Sequence, residues 1–491
     1  MIDEEWTSAW NPAPFRAALE SAGYTHGRLK ELDLLRPGDP FGRATMVSHL
    51  LPADHPLAVL CHLFDSGDPV RGADALAVFG NEMTNLLRAG LIEPLGSQFV
   101  RSPMRLEPVE EGWFASDHPS ALLNNRADYT MGVGKSTRLL AALVPSRPGA
   151  AALDLCSGSG WVALGLARAG CRTTASDLNH RALGFARFNA ALLGAPPVEF
   201  RQGDLFEPLG ERRFDLIASN PPFVISPDST FTFRDSGCKG DSFCENLARR
   251  MPDHLAGNGI GIMLLNWVDG GDGQGDQRPL SWLEGSGCGA WLFQAATAAP
   301  ADYAYRWLRE SGRGRMPDPA ELDRWIGYFK EIGARAIHSG FLLVHRTPGR
   351  PWRRFEAREM EDLKGPAGEE VRRVVAGEAW LADQEPDEAT LLKGRFRVVD
   401  GITAQTEMIL DRGWQARTVR LRSPSRLSYD GQIDEFLLRL LDLCRAQRPP
   451  ADMVSELQAK PHFASRAELP GQVAGLVREL IRHGLLAPTD D

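Results

Sequence analysis

The sequence predicts an α/β protein, in which an open parallel sheet with helices on both faces is closed by a terminal antiparallel hairpin and flanked by winged-helix-like α+β modules. Three observations predict this. Between about residues 120 and 348, short apolar or β-branched runs alternate with helical stretches. The first of those runs passes through a glycine loop directly into a helix. The two ends of the chain share a helix, glycine, strand signature: Leu480 to Pro488 aligns without gaps onto Leu86 to Pro94.

In the first region, residues 1–118, Pro56 to Phe64 is apolar at helical spacing, and Asp65-Ser-Gly-Asp-Pro69 breaks it. A second helical stretch runs from Ala73 to Ala89, with Gly90 as its C-cap. Leu91 to Pro94 and Gln98 to Val100 then read as two strands around a turn at Gly96. In the central region, residues 119–348, strands are expected at Ala150–Leu155, Cys171–Ser176, Val198–Gln202, Phe214–Ser219 and Gly259–Leu265. Helices are expected at Gly160–Ala169 and Asn179–Leu193, and Ala334–His338 and Phe341–His345 read as a hairpin turning at Ser339-Gly340. Residues 349–491 have mixed structure, and the second winged-helix-like module occupies about 430–491, with an apolar helix from Ile433 to Cys444.

Composition narrows the function. Of 491 residues, 43% are apolar and 24% charged, which excludes wholesale disorder, collagen and coiled coil. The longest apolar run, Gly259 to Val268, falls far short of the roughly 20 residues of a membrane helix. The acidic start, Met1-Ile-Asp-Glu-Glu-Trp6, is not that of a secretory signal or transit peptide. The seven cysteines form no C-x-x-C pair, so reduced thiols, a cytoplasmic protein and no metal site are expected. The net charge is -9, and residues 1–120 carry 17 acids against nine bases. Such a segment repels phosphates, and the helix Asn81 to Ala89 offers Arg88 offset by Glu82, which disfavours groove reading.

The chemistry concentrates at the strand ends. Leu153-Asp154-Leu155-Cys156-Ser157-Gly158-Ser159-Gly160 is a strand, a glycine loop and a helix start, a shape suited to close approach of a ligand. Gly158-Ser-Gly160-Trp-Val-Ala163 with Asp177 at the next strand end also fits a dinucleotide fingerprint, which leaves a nicotinamide-dependent oxidoreductase open. Asp154 before the loop suits an ammonium group, and Asp204 after the third strand suits an exocyclic amine. Ser219-Asn220-Pro221-Pro222-Phe223 closes the fourth strand. Gly132-Val-Gly134-Lys135-Ser136-Thr137 lacks the first glycine of a P-loop, so Thr130 to Leu139 is expected to cover the ligand instead of binding ATP.

At these positions the chain resembles the class I S-adenosylmethionine-dependent methyltransferases, in the group with an Asn-Pro-Pro-Tyr/Phe motif that includes release-factor glutamine methyltransferases and small-domain methyltransferases. The resemblance covers about residues 125 to 348. It implies a Rossmann-like sheet and S-adenosyl-L-methionine as cofactor. Gly158 and Gly160 would line the methionine portion, with Asp154 at its amino group, Asp177 would accept from the ribose hydroxyls and Asp204 from the adenine amine, and Cys156, Leu178, Leu205 and Asn220 would also touch the cofactor. Asn220, at the meeting of cofactor and acceptor, would act in catalysis with Pro221, Pro222 and Phe223.

The motif has a chemical reason. An amide nitrogen is a poor nucleophile because its lone pair is delocalised. The Asn220 oxygen and the Pro221 carbonyl can each accept one N–H and aim that lone pair, in a turn stiffened by two prolines. Phe223 would stack on a planar acceptor. No general base is needed before transfer, so His180 and His254 read as structural. A protein glutamine amide or a peptide-like small molecule is the favoured acceptor, with Arg234, Asp235 and Asp241 as substrate-loop residues. An exocyclic base amine in RNA or DNA is the alternative, because phenylalanine replaces the usual tyrosine at Phe223. A winged-helix regulator that only senses the cofactor is a further one.

Overall fold

A computed structural model describes residues 7, 9–35, 40–119, 121, 126–228, 237–271, 277–311, 316–358, 365–410, 414–459 and 467–489. Its centre is an eight-stranded sheet. In chain order the strands are β1 (Ala151–Leu155), β2 (Arg172–Asp177), β3 (Val198–Gln202), β4 (Phe214–Ser219), β5 (Leu255–Asp269), β6 (Gly289–Ala298), β7 (Ala336–His345) and β8 (Arg353–Ala357). Across the sheet they lie in the order β8-β6-β7-β5-β4-β1-β2-β3. All neighbours pair in parallel except β7, which runs antiparallel to both β5 and β6. The strand order reverses between β1 and β4, so a crevice opens at the C-terminal ends of those two strands.

The principal helices are α1 (Lys135–Leu143), α2 (Trp161–Arg168), α3 (His180–Leu193), α4 (Ser242–Arg250), α5 (Pro300–Ser311), α6 (Pro319–Glu331) and α7 (Gly368–Gln384). Leu140 and Leu143 of α1, Val162 and Leu166 of α2, and Val371, Val374 and Val375 of α7 bury one face of the sheet over Ala152, Leu216, Ile262 and Phe341. On the opposite face Cys244, Leu247 and Ala248 of α4 cover Leu153, Ile217, Met263 and Leu265. This two-sided burial explains why β1, β4 and β5 read as continuous apolar runs.

The expected hairpin at Ser339-Gly340 is corrected: Ala336 to His345 is one unbroken strand. Gly340 sits there because β6 passes too close for a side chain; a Cβ would lie 1.8 Å from the Phe293 carbonyl oxygen. The strand β6 supplies the antiparallel partner that the hairpin was expected to provide. The sheet also continues past residue 348, since β8 forms its edge and Arg354 of β8 ion-pairs with Glu378 of α7.

In the first region, Pro56–Cys61 is helical and continues as a π-helical turn, His62–Ser66. The expected helix from Ala73 to Ala89 is two, Gly72–Phe79 and Glu82–Arg88, parted at Gly80. Glu93–Leu95 pairs antiparallel with Phe99–Arg101, which pairs in turn with Val70–Arg71. A second hairpin, Met104–Val109 with Gly112–Asp117, lies against α3, and Phe185, Phe188 and Leu192 of α3 enter the same core as Phe15, Phe64 and Trp113.

The end of the chain repeats the local signature: the helix Leu469–Arg482 is followed by Gly484 at φ +60° and the strand Leu486–Pro488. That strand pairs with Phe396–Val398 from upstream, and not with a following wing. A separate three-stranded sheet joins Thr403–Leu410, Trp414–Arg422 and Asp430–Ile433.

Candidate active site

The crevice between β1 and β4 gathers the residues singled out in the sequence. Gly158 and Gly160 take φ +55° and +91°, the left-handed region that glycine enters freely. Their roles differ. A Cβ on Gly160 would lie 2.9 Å from that of Ala186 in α3, whereas one on Gly158 would meet nothing within 4 Å. Gly160 thus lets the loop pack on α3, and Gly158 leaves open space over the crevice.

Asp154 is buried below the loop, where its carboxylate accepts from the Ala163 N–H at 2.9 Å and ties strand to helix. Burial pushes its acidity down, to a pKa of about 8, and the nearby Asp177 carboxylate adds to the shift. Asp177 accepts from the Gly158 N–H and the Asn179 N–H, each at 2.8 Å. Burial raises its pKa, and these backbone donors oppose the rise. Asp177 therefore shapes the glycine loop and still keeps unused lone pairs. Leu178 is exposed beside it. Asp204 lies exposed after β3, and Leu205, at φ +46°, turns inward. Cys156 also adopts a positive φ, +60°, at the base of the loop.

Asn220 follows β4, whose last residue, Ser219, donates its hydroxyl to the Leu155 carbonyl at 2.9 Å. The Asn220 Nδ2 group donates to Thr137 Oγ1 at 3.2 Å and Ser136 Oγ at 3.4 Å, on the first turn of α1. Its Oδ1 is buried and accepts no hydrogen bond among the described residues. Pro221 is buried, and Phe223 is partly buried with its ring edge-on to Trp307 of α5, centroids 6.4 Å apart. Behind the turn, the Ile225 N–H and the Asn266 Nδ2 group both donate to the Tyr303 hydroxyl, at 3.0 and 2.7 Å. The α5–α6 pair inserted between β6 and β7 thus backs the Asn-Pro-Pro-Phe turn.

The stretch from Thr130 is fastened beside the glycine loop and from Lys135 becomes helix α1, whose Leu139 and Leu140 pack on the sheet. The Thr130 N–H donates to Asp117 at 2.9 Å, and the Ser159 hydroxyl donates to the Met131 carbonyl at 3.2 Å. Asp117 in turn accepts both from this N–H and from Arg181 Nε, at 2.9 Å from the same oxygen.

Of the substrate-loop candidates, Arg234 and Asp235 lie outside the described residues. Asp241 is buried and turned inward, accepting from the Val268 N–H at 2.9 Å and pairing with Arg278. His254 stacks on Phe206 with centroids 4.1 Å apart, and His180 meets Gln202 at 3.3 Å, both away from the Asn-Pro-Pro-Phe turn. The sequence reading missed Asp117, Arg181, Ser136, Thr137 and Tyr303. A Ser-Thr pair opening a helix was the available signal for two of them.

The crevice suits S-adenosylmethionine. Three buried polar atoms along it, Thr130 Oγ1, Ser157 Oγ and Asn220 Oδ1, have no protein partner among the described residues, and buried polar groups ordinarily do. The open space at Gly158 and the spare lone pairs of Asp177 and Asp204 complete a donor and acceptor set for an amino acid joined to a nucleoside.

Residues 130–234 match the family model "Methyltransferase small domain", and residues 373–488 match a domain of unknown function (DUF7782). The chain is similar to the release factor glutamine methyltransferase of Xylella fastidiosa (strain Temecula1), 36% identical over 129 residues, covering 24% of this chain and 47% of that protein. It is also similar to the ribosomal protein uL3 glutamine methyltransferase of the same strain, 40% identical over 121 residues, covering 22% and 39%. The chain spans less than half the length of these curated relatives. Among solved structures, the YcgJ protein of Bacillus subtilis matches over 44% of this chain and 99% of its own, with 14% identity and a TM-score of 0.30. Over residues 130–234 the chain thus matches a methyltransferase family, and over about a quarter of its length it is similar to glutamine methyltransferases.

Proposed function

We propose that the protein transfers the methyl group of S-adenosylmethionine to a planar amide nitrogen, with a glutamine side chain of a protein as acceptor. The observation that carries this is the Asn220 Oδ1 atom, buried at the end of β4 and without a partner among the described residues. Such an atom stands ready to accept an N–H, and an acceptor amide supplies one.

When bound, the cofactor supplies an electrophilic methyl group on a positively charged sulfur. Gly158, Ser157, Asp177 and Asp204 would hold it, with Asp154 beneath the amino group. Asn220 Oδ1 then accepts one N–H of the acceptor amide and the Pro221 carbonyl accepts the other. Both protons are held, so the nitrogen lone pair is drawn out of conjugation and directed at the methyl carbon. The methylated nitrogen loses its proton to solvent afterwards. Phe223, braced by Trp307, presents a flat apolar face to the planar acceptor.

The names of the two relatives, both glutamine methyltransferases of proteins, support the choice of acceptor, as does the acidity of residues 1–120. The first region, with helices followed by Glu93–Leu95 and Phe99–Arg101 and a third strand at Val70–Arg71, is read as a winged-helix-like module that presents a protein partner. The test is transfer of labelled methyl from S-adenosylmethionine into a cell extract, followed by separation of protein, RNA and small molecules. Label in protein, released as methylamine on acid hydrolysis, is expected. Label confined to RNA, or none in any fraction, would overturn the assignment.

A further inference from the structure

We infer that Ser136 and Thr137 are positioning residues that set which end of the Asn220 amide faces the acceptor. This rests on the function proposed above. An asparagine amide has two nearly isosteric orientations, and only one serves the chemistry. With Oδ1 toward the crevice, Asn220 accepts an N–H; with Nδ2 there, a donor would face a donor.

The choice is made behind Asn220. Nδ2 carries two protons and no acceptor capacity, and it lies 3.2 Å from Thr137 Oγ1 and 3.4 Å from Ser136 Oγ. Two adjacent hydroxyls on the first turn of α1 give each proton its own acceptor. Each hydroxyl oxygen has two lone pairs, so it can accept an amide proton whichever way its own proton turns. Oδ1 on the far side has no partner among the described residues, so the polarity of the side chain is fixed from one side only.

The arrangement also depends on where α1 sits. The segment leading into it is tied down at Thr130 by Asp117 and at Met131 by Ser159. The same Ser159 belongs to the glycine loop, so the segment that orients Asn220 is fastened to the cofactor crevice itself. Seating of residues 130–137 and correct presentation of Asn220 are therefore one event.

The experiment compares wild type with Ser136→Ala/Thr137→Val, which removes both hydroxyls with little change of volume, and with Ser136→Thr/Thr137→Ser, which keeps them. In full-length protein labelled with 15N at asparagine side chains, the Asn220 NH2 signals, assigned by their loss in Asn220→Ala, report the two hydrogen bonds. The hydroxyl-free variant should show an upfield shift and at least a ten-fold faster exchange of that NH2 group. The conservative variant should keep both near wild type. Where the extract assay shows transfer, the hydroxyl-free variant should lose about 10- to 100-fold in kcat with KM for S-adenosylmethionine within about two-fold. In an Asn220→Ala background the same pair of substitutions should have no further effect. An unchanged NH2 signal in the hydroxyl-free variant, or an additive loss on top of Asn220→Ala, overturns the inference. Absence of transfer by the wild type would overturn the proposed function while the NMR comparison still decides this one.

Discussion

The Asp117 carboxylate joins two parts of the chain: Arg181 of α3 donates to it through Nε at 3.0 and 2.9 Å, and the Thr130 N–H donates to it at 2.9 Å. Asp117 is almost wholly buried, and it ends the second hairpin of the first region. The N-terminal region is therefore wired to the segment that leads into α1 beside the glycine loop, and is no detached appendage. Removing one member of such a buried pair leaves the other charge without compensation, which costs about 3–5 kcal/mol. Asp117→Ala should lower Tm by several degrees and weaken S-adenosylmethionine binding, because Thr130 loses its anchor. Calorimetric titration together with a thermal melt checks this; unchanged affinity would show that the segment seats without Asp117.

Asp177 and Asn220 should separate binding from chemistry. Asp177 shapes the glycine loop through Gly158 and offers spare lone pairs to the ribose, so Asp177→Ala should abolish measurable cofactor binding. Asn220→Ala should bind the cofactor within a few-fold of wild type and lose transfer by about two to three decades, the range seen for removing one preorganised polar contact to a reacting centre. Binding by calorimetry and single-turnover transfer give the two numbers independently.

The two loop glycines make a sharper pair. Gly160→Ala forces a Cβ to within 2.9 Å of Ala186 at φ +91°, so it should destabilise the fold by about 2–4 kcal/mol. Gly158→Ala meets no protein atom within 4 Å at φ +55°, and should cost only about 1–2 kcal/mol. That Cβ points into the crevice, so Gly158→Ala should instead weaken cofactor binding at least ten-fold. Denaturant melts and calorimetry on both variants test the division; equal stability losses would refute it.

Asp154 predicts a pH effect. Its pKa is raised to about 8 in the folded protein by burial, well above the 3.8 of an ordinary aspartate. The folded state therefore holds a proton that the unfolded state releases, and stability falls as pH rises from about 4 through about 8. Asp154→Asn should flatten that decline, with its largest relative gain in Tm near pH 8. If the cofactor's ammonium group sits over Asp154, binding at pH 7 should also release a proton in wild type and none in Asp154→Asn. Titration in buffers of different ionisation enthalpy measures the proton count.

How far the sequence was legible depended on where each feature takes its cause. β1, β4 and β5 are buried on both faces, so their apolar runs announce them, and Asp154 within β1 and Asn220 after β4 follow from strand position, as do Asp177 at the end of β2 and Asp204 after β3. β6 was not seen because Gln294-Ala-Ala-Thr-Ala298 dilutes its apolar start with small and polar residues. Its identity as a strand is conferred by β7 and β8 on either side. The hairpin ending at Asp117 and the hydroxyls behind Asn220 were missed for a related reason. Their roles arise only when α1 and α3 dock, a distance of more than 60 residues along the chain.

Gly340 shows the same limit and gives the final prediction. Read locally, Ser339-Gly340 between two apolar runs is a turn, and a turn glycine replaced by alanine costs about 1 kcal/mol. In the sheet, Gly340 is an extended residue between Leu265 and Gln294, beside an irregularity in the pairing of β6 at Gln294 to Ala296. A methyl group there would overlap the Phe293 carbonyl oxygen and crowd the Gln294 Cα, at 1.8 and 3.2 Å. Backbone atoms cannot swing aside as a side chain would, so relief requires parting β6 from β7. Gly340→Ala should therefore destabilise the protein by more than about 3 kcal/mol, in the range of the most damaging single substitutions. The matched control is Gly285→Ala, where the backbone is left-handed at φ +74° and nothing lies within 4 Å. That change should cost only about 1–2 kcal/mol. Urea melts of the two variants decide between them: comparable losses would mean that β6 and β7 do not approach as closely as the pairing requires.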